Sequence, residues 1–136
     1  MTERVSFGTG TPWEPIVGYS RAVRVGPFVW VSGTTAMGAD GQLAGIGDPG
    51  AQARQALVNL GAALERAGAR LEHVVRTRIY VTDIAHWEDV GRVHGEYFGN
   101  IRPAATMVEV SGLIDPDMLV EIEADAYILE TAPPTD

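Results

Sequence analysis

The chain has 136 residues, a net charge of −8 and neither cysteine nor lysine, which bounds it to one domain and excludes disulfides, thiolate nucleophiles, cysteine zinc sites, Schiff-base lysines, lysine-anchored pyridoxal phosphate and phosphate-loop lysines. All 10 basic residues are arginines without a basic stripe, so a nucleic-acid partner, which requires clustered cations to neutralise phosphates, is not expected. No signal peptide is read and no apolar run approaches the roughly 20 residues that cross a bilayer, so the expectation is a cytoplasmic protein with no membrane partner.

Arg4 to Gly8 alternates as a short strand, and Thr9 to Pro15 reads as a turn-rich connector. Tyr19 to Val25 and Phe28 to Ser32 alternate on either side of Gly26-Pro27, the pattern of a hairpin. A glycine-rich loop, Gly38 to Gly47, leads to Asp48 as a helix cap with Pro49 at the first position. Ala53, Ala56, Leu57, Leu60, Leu64 and Ala67 then recur at helical spacing until Gly68. His73 to Thr82 is a strand with Val75, Thr77, Ile79 and Val81 on one side and Arg76, Arg78 and Tyr80 on the other. A second helix starts near Asp83 or His86, presents Trp87, Val90, Val93, His94, Tyr97 and Phe98 to a core, and stops at Gly99. Gly91 and Gly95 lie one turn apart on it, which points to close approach of another backbone or a ligand, packing being the favoured reason. Two further strands lie in Arg102 to Val110 and Met118 to Ala124, and Thr131 to Asp136 reads as a frayed tail.

This order predicts an α+β fold, a sheet with two helices packed on one face. Arg76 and Arg78, and at alternate positions Glu121, Glu123 and Asp125, then fall on the other face beside Tyr80, Leu119 and Tyr127. Charges next to apolar neighbours find partners, so this face is expected to meet other subunits, with arginine–carboxylate pairs within or between chains.

The last two strands carry the most information. In Arg102-Pro103-Ala104-Ala105-Thr106-Met107-Val108-Glu109-Val110, residues Thr106, Val108 and Val110 oppose Ala105, Met107 and Glu109; in the second strand Val120, Ile122 and Ala124 oppose Leu119, Glu121 and Glu123. This pair resembles the C-terminal signature of the Rid (reactive intermediate deaminase, YjgF-like) family. The resemblance extends in order through Gly18-Tyr19, Val31-Ser32-Gly33, Gln52-Ala53-Arg54-Gln55-Ala56-Leu57 and Val81-Thr82-Asp83. It implies a chorismate-mutase-like fold, a homotrimer with a central barrel, and small-molecule clefts between subunits. It also implies that Tyr19, Ser32 and the Gly33 backbone line the cleft and that Glu121 positions the hydrolytic water. Where the family's imine-active members carry an arginine that grips the substrate carboxylate, this chain has Ala105; Met107 stands where many have cysteine, and Gly91 where asparagine is common. Arg21, which shares strand parity with Tyr19, and Arg102, just before the pocket strand, are the candidates to replace it, each against a plain ion-pairing role.

His94 points inward on its helix, as a ligand-side acid or base or, more simply, as a packed histidine. No two of His73, His86 and His94 have the i, i+4 spacing of a helical metal pair, so no metal or other cofactor is implied. Glu109 is a candidate to share the cleft face with Glu121, and is otherwise structural. The resulting expectation is hydrolysis (deamination) or tautomerisation of an imine, enamine or related carbonyl metabolite. The alternative is a trimer that binds a small molecule without turnover. Ribonuclease activity is the least favoured reading, given the acidic charge and the lack of a two-histidine centre.

Overall fold

A computed structural model describes residues 3–129, so the expected tail at Thr131 to Asp136 lies outside the described residues. The elements are strand β1 (Arg4–Phe7), helix α1 (Trp13–Val17), strands β2 (Ala22–Val25) and β3 (Phe28–Thr34), helix α2 (Pro49–Arg66), strand β4 (Val74–Val81), helix α3 (Trp87–Phe98), and strands β5 (Ala104–Glu109) and β6 (Val120–Tyr127). They form one six-stranded sheet in the order β1-β2-β3-β6-β4-β5, in which only the β4–β5 pair is parallel. A parallel pair needs a crossover, and α3 supplies it between β4 and β5. β5 is therefore the sheet edge and β4 separates it from β6, so the two signature strands are not neighbours.

Local chemistry sets the boundaries. Gly26 has φ 58° at the first central position of the two-residue turn that joins β2 to β3, a place glycine fills readily. The Asp48 carboxylate accepts a hydrogen bond from Ala51 N at 3.1 Å with Pro49 following, and Gly68 ends the helix region at φ 86°. Leu57, Leu60 and Leu64 are fully buried on the sheet side of α2; each contributes about 1.5–3 kcal/mol through the area it withdraws from water. Val29, Val31, Ile79, Val81, Val120, Ile122 and Ala124 supply the sheet's half of this core, and Val90, Val93 and Phe98 supply that of α3. Both long helices thus cover one face.

Three expectations are corrected. Val75 is 53% exposed rather than grouped with Thr77, Ile79 and Val81, because the β4–β6 register shifts between Val74 and Arg76 and puts Val74 inside instead. Trp87 is 56% exposed at the first residue of α3, before the helix reaches the core. Among the described residues of this chain no other backbone closes on Gly95, which has nothing within 4 Å of where a Cβ would lie, and Gly91 meets only the Trp87 ring at 3.9 Å. The short helix α1 interrupts the segment read as a connector and its sequel, held by Glu14, whose carboxylate accepts hydrogen bonds from Thr9 Oγ1 at 2.8 Å and Thr11 Oγ1 at 2.9 Å.

Candidate functional site

The uncovered sheet face carries Arg76, Arg78 and Tyr80 of β4 opposite Asp125, Glu123 and Glu121 of β6. Pairing within the chain is as the alternation implied: Arg78 bridges to Asp125 at 3.3 Å and the Tyr80 hydroxyl donates to Glu123. That hydrogen bond, with burial second, pushes the Tyr80 hydroxyl up from its ordinary value. Among the described residues Glu121 has no hydrogen-bond partner of this kind.

Beside Glu121 the sheet is irregular. The β3–β6 register runs from Val31↔Ala124 to Thr34↔Ile122, so β3 has one residue more than β6 and Ser32-Gly33 forms a bulge. The Glu121 carboxyl lies directly on Gly33, in space that any Cβ at that position would take. Arg21 reaches over the same bulge: its Nη2 donates to Gly33 O at 2.7 Å, and its guanidinium carbon lies 5.8 Å from the centre of the Tyr19 ring. Ser32 Oγ donates to Ser20 O at 2.6 Å, which fixes the turn carrying Tyr19 and Arg21 against the bulge. Burial pushes the half-buried Glu121 carboxyl up from the ordinary carboxylate value; Arg21 pulls it down and Glu123 pushes it up, and the net direction is up.

These groups line a cleft of about 970 Å³. Its other walls come from α2, from the loop after β3 and from Gly112 to Ile114. Two buried or half-buried amides on α2 hold those loops. Gln52 is fully buried; its Nε2 donates to Gly45 O at 3.2 Å and Asp117 O at 2.9 Å, and its Oε1 accepts from Leu119 N at 2.8 Å. Asn59 Nδ2 donates to Thr35 O at 2.9 Å and Met37 O at 2.7 Å. The walls are therefore fixed by hydrogen bonds rather than left as free loops.

Of the residues singled out in the sequence, Tyr19, Ser32, Gly33 and Glu121 converge on this cleft, with Arg21 among them. Five others stand elsewhere in the chain. Ala105 pairs with Thr77 and Met107 with Ile79 on edge strand β5, on the helix side of the sheet. His94 lies between α3 and β4, hydrogen-bonded to Thr77 Oγ1 at 2.9 Å and 4.7 Å from the Phe98 ring, where burial lowers its basicity. Arg102 is exposed in a turn at φ 54°, its Nε donating to Gly99 O at 3.0 Å. Glu109 does not share a face with Glu121: it pairs with Val81, and its carboxylate accepts from Ile84 N at 3.0 Å, holding the turn that leads into α3. Val58, Arg66 and Ile114 also line the cleft and were not singled out. Val58 had a signal, since it is a large apolar residue on the polar side of α2; Arg66 and Ile114 had none.

Residues 9–128 match the family model described as Endoribonuclease L-PSP, the YjgF/Rid family. The chain belongs to the Rid family. An uncharacterised protein of Streptomyces coelicolor is 40% identical over 88% of each chain. The 3-aminoacrylate deaminase RutC of Acinetobacter baylyi is 33% identical, over 94% of this chain and 100% of its own. The crystal structure of a YjgF-family member from Mycobacterium tuberculosis, 54% identical, superposes with a TM-score of 0.84 over 93% of this chain and 100% of that one. The fold is thus the Rid family's α+β fold, as the signature strands implied.

Proposed function

We propose that this Rid-family chain deaminates a small imine or enamine in the cleft beside Glu121, and that the working form is a homotrimer. The reading rests chiefly on one observation: a half-buried carboxyl, raised in pKa, sits against an open glycine bulge within reach of a guanidinium. The name of the Acinetobacter baylyi relative, 33% identical, supports the same class of reaction.

Hydrolysis of an imine needs a base when water attacks and an acid when nitrogen leaves. Water forms the carbon–oxygen bond while one of its protons passes to Glu121. The electron pair of the C=N bond moves to nitrogen, which takes a proton back from Glu121. Glu121 then takes the hydroxyl proton and passes it to the amino group, so that collapse to a carbonyl breaks the remaining C–N bond and releases ammonia. For an enamine, Glu121 first protonates the alkene carbon β to nitrogen, giving the iminium that water attacks. A carboxyl whose pKa is raised does both more readily at neutral pH than an ordinary one, because its neutral form is within reach.

Glu121→Gln keeps the size and removes the proton exchange. Ammonia release from 2-iminopropionate and 3-aminoacrylate should fall by at least about 100-fold, while the mass of the assembly is kept. An unchanged rate would sink the role of Glu121. Ligand binding without turnover in the parent protein would establish the binding reading instead.

A further inference from the structure

The side chains on the uncovered face of β4 and β6 pair out of step with the backbone. Arg76 stands opposite Asp125, Arg78 opposite Glu123 and Tyr80 opposite Glu121. Arg78 nevertheless bridges to Asp125 at 3.3 Å, and the Tyr80 hydroxyl donates to Glu123. Each β4 donor thus passes over the carboxylate opposite and takes the next one along β6, a diagonal that long and aromatic side chains span. The displacement leaves Arg76 at one end of the ladder and Glu121 at the other, and among the described residues neither forms an ion pair. β6 lies between β3 and β4, and the Glu121 carboxyl leans to the β3 side, onto Gly33 and away from Tyr80.

A hydroxyl directly opposite a carboxylate is a ready donor to it, and a hydrogen bond to an ionised oxygen is among the strong ones. We propose that Glu123 is a positioning residue of the cleft: by engaging the Tyr80 hydroxyl it keeps that donor off Glu121, whose carboxyl stays on the bulge with its oxygens open to water and substrate. The ionisable groups around Glu121 are Arg21 from the turn before β2, Arg66 of α2 on the same cleft, Arg78 and Tyr80 of β4, and Glu123. Arg21 is bonded to Gly33 O, Arg66 to Gly8 O and Arg78 to Asp125. The Tyr80 hydroxyl is therefore the donor that loss of Glu123 releases. The inference rests on the proposed chemistry at Glu121 only for its effect on rate, since the surroundings of that carboxyl can be read without substrate.

Three variants of the full-length protein separate the acceptor from the charge. Glu123→Gln removes the charge and keeps an oxygen for the Tyr80 hydroxyl; Glu123→Ala removes both; Glu123→Ala/Tyr80→Phe removes the hydroxyl as well. The Glu121 carboxyl is followed against pH by carbon NMR of substrate-free protein labelled at glutamate, its signal assigned by its absence from Glu121→Gln. In Glu123→Ala it should titrate at lower pH than in Glu123→Gln, because the released hydroxyl donates to Glu121 and favours its charged form. In Glu123→Ala/Tyr80→Phe it should return to the Glu123→Gln curve. Deamination of 2-iminopropionate should follow: kcat/KM falls by about ten-fold or more from Glu123→Gln to Glu123→Ala, the cost of a displaced carboxyl, and recovers in the double variant. Coincident curves for all three, or a double variant that stays with Glu123→Ala, overturn the inference, since Glu123 then acts through its charge or the fold alone. If Glu123→Ala does not keep the parent's mass, Glu123→Leu, which fills the vacated space, replaces it in both comparisons. If the curves separate as stated while no imine is turned over, the positioning stands and the chemistry at Glu121 falls. If they coincide while Glu121→Gln abolishes deamination, the chemistry stands and the positioning falls.

Discussion

Gly33 is the residue on which the candidate site turns, because its missing side chain is the room that the Glu121 carboxyl occupies. Its φ lies outside the left-handed region, so an alanine there is compatible with the backbone and only the flexible end of Glu121 must move. Gly33→Ala is therefore expected to fold and assemble like the parent while pushing Glu121 out toward water. Two readouts follow from the displacement. Deamination should drop by roughly 10- to 100-fold, the penalty of about an ångström of misplacement. The acid limb of the pH–rate profile should also shift to lower pH, because burial is the main reason that the Glu121 carboxyl is raised. A variant with the parent's profile would show that the contact has no bearing on the reaction. Single residues were legible in the sequence where they belong to a motif: Tyr19, Ser32, Gly33 and Glu121 all line one cleft. Arg66 and Ile114 were not, because an arginine in the last turn of a helix and an isoleucine in a loop have no pattern that marks a cleft.

At the scale of elements, alternation and helical spacing fixed strand faces and helix limits wherever one face is buried, as in α2 and β6. They failed where hydrogen-bonding geometry overrides the pattern: the β4 irregularity that exposes Val75, and α1, five residues held by the Glu14 carboxylate. Strand order was also illegible, since the placement of β6 between β3 and β4 depends on contacts across the whole chain. The α3–β4 contact has a consequence for stability. His94 is hydrogen-bonded to Thr77 and burial lowers its pKa below 6.5. Between that lowered value and 6.5 the unfolded chain binds a proton that the folded chain resists, so this contribution is complete above pH 6.5 and is lost as pH falls. Glu121 acts with the opposite sign, its raised value favouring the folded state more at lower pH. Comparing parent with His94→Gln cancels the Glu121 term: on going from pH 7.5 to 5.5 the parent's Tm should fall further than the variant's. Equal falls would mean that the imidazole titrates as it does in the unfolded chain.

The whole molecule presents a sheet face that one chain leaves uncovered. Phe28 stacks on Trp30 with ring centroids 5.7 Å apart and meets Tyr127 edge-on at 5.0 Å, yet the three side chains are 47%, 43% and 39% exposed. Val75 and Val108 extend exposed apolar surface to β4 and β5. Contiguous aromatic surface of this kind marks an association face. The proposed trimer would bury it; within one chain, edge strand β5, with Ala105 and Met107, lies beyond β4 on the helix side. Light scattering should therefore give a mass near three times the 14.5 kDa of the chain. Raising the salt concentration should leave that mass unchanged, because apolar burial of about 25 cal/mol per Å² is not screened as the Arg78–Asp125 pair is. Trp30→Arg sets a charge within the aromatic cluster, where desolvation opposes assembly. It should lower the mass toward the monomer while leaving the core residues Val29 and Val31, which point to the other face, undisturbed. If β5 of a neighbour completes the cleft, deamination falls with the mass. A parent monomer at micromolar concentration, or a Trp30→Arg monomer with full activity, would show that each chain carries its whole site alone.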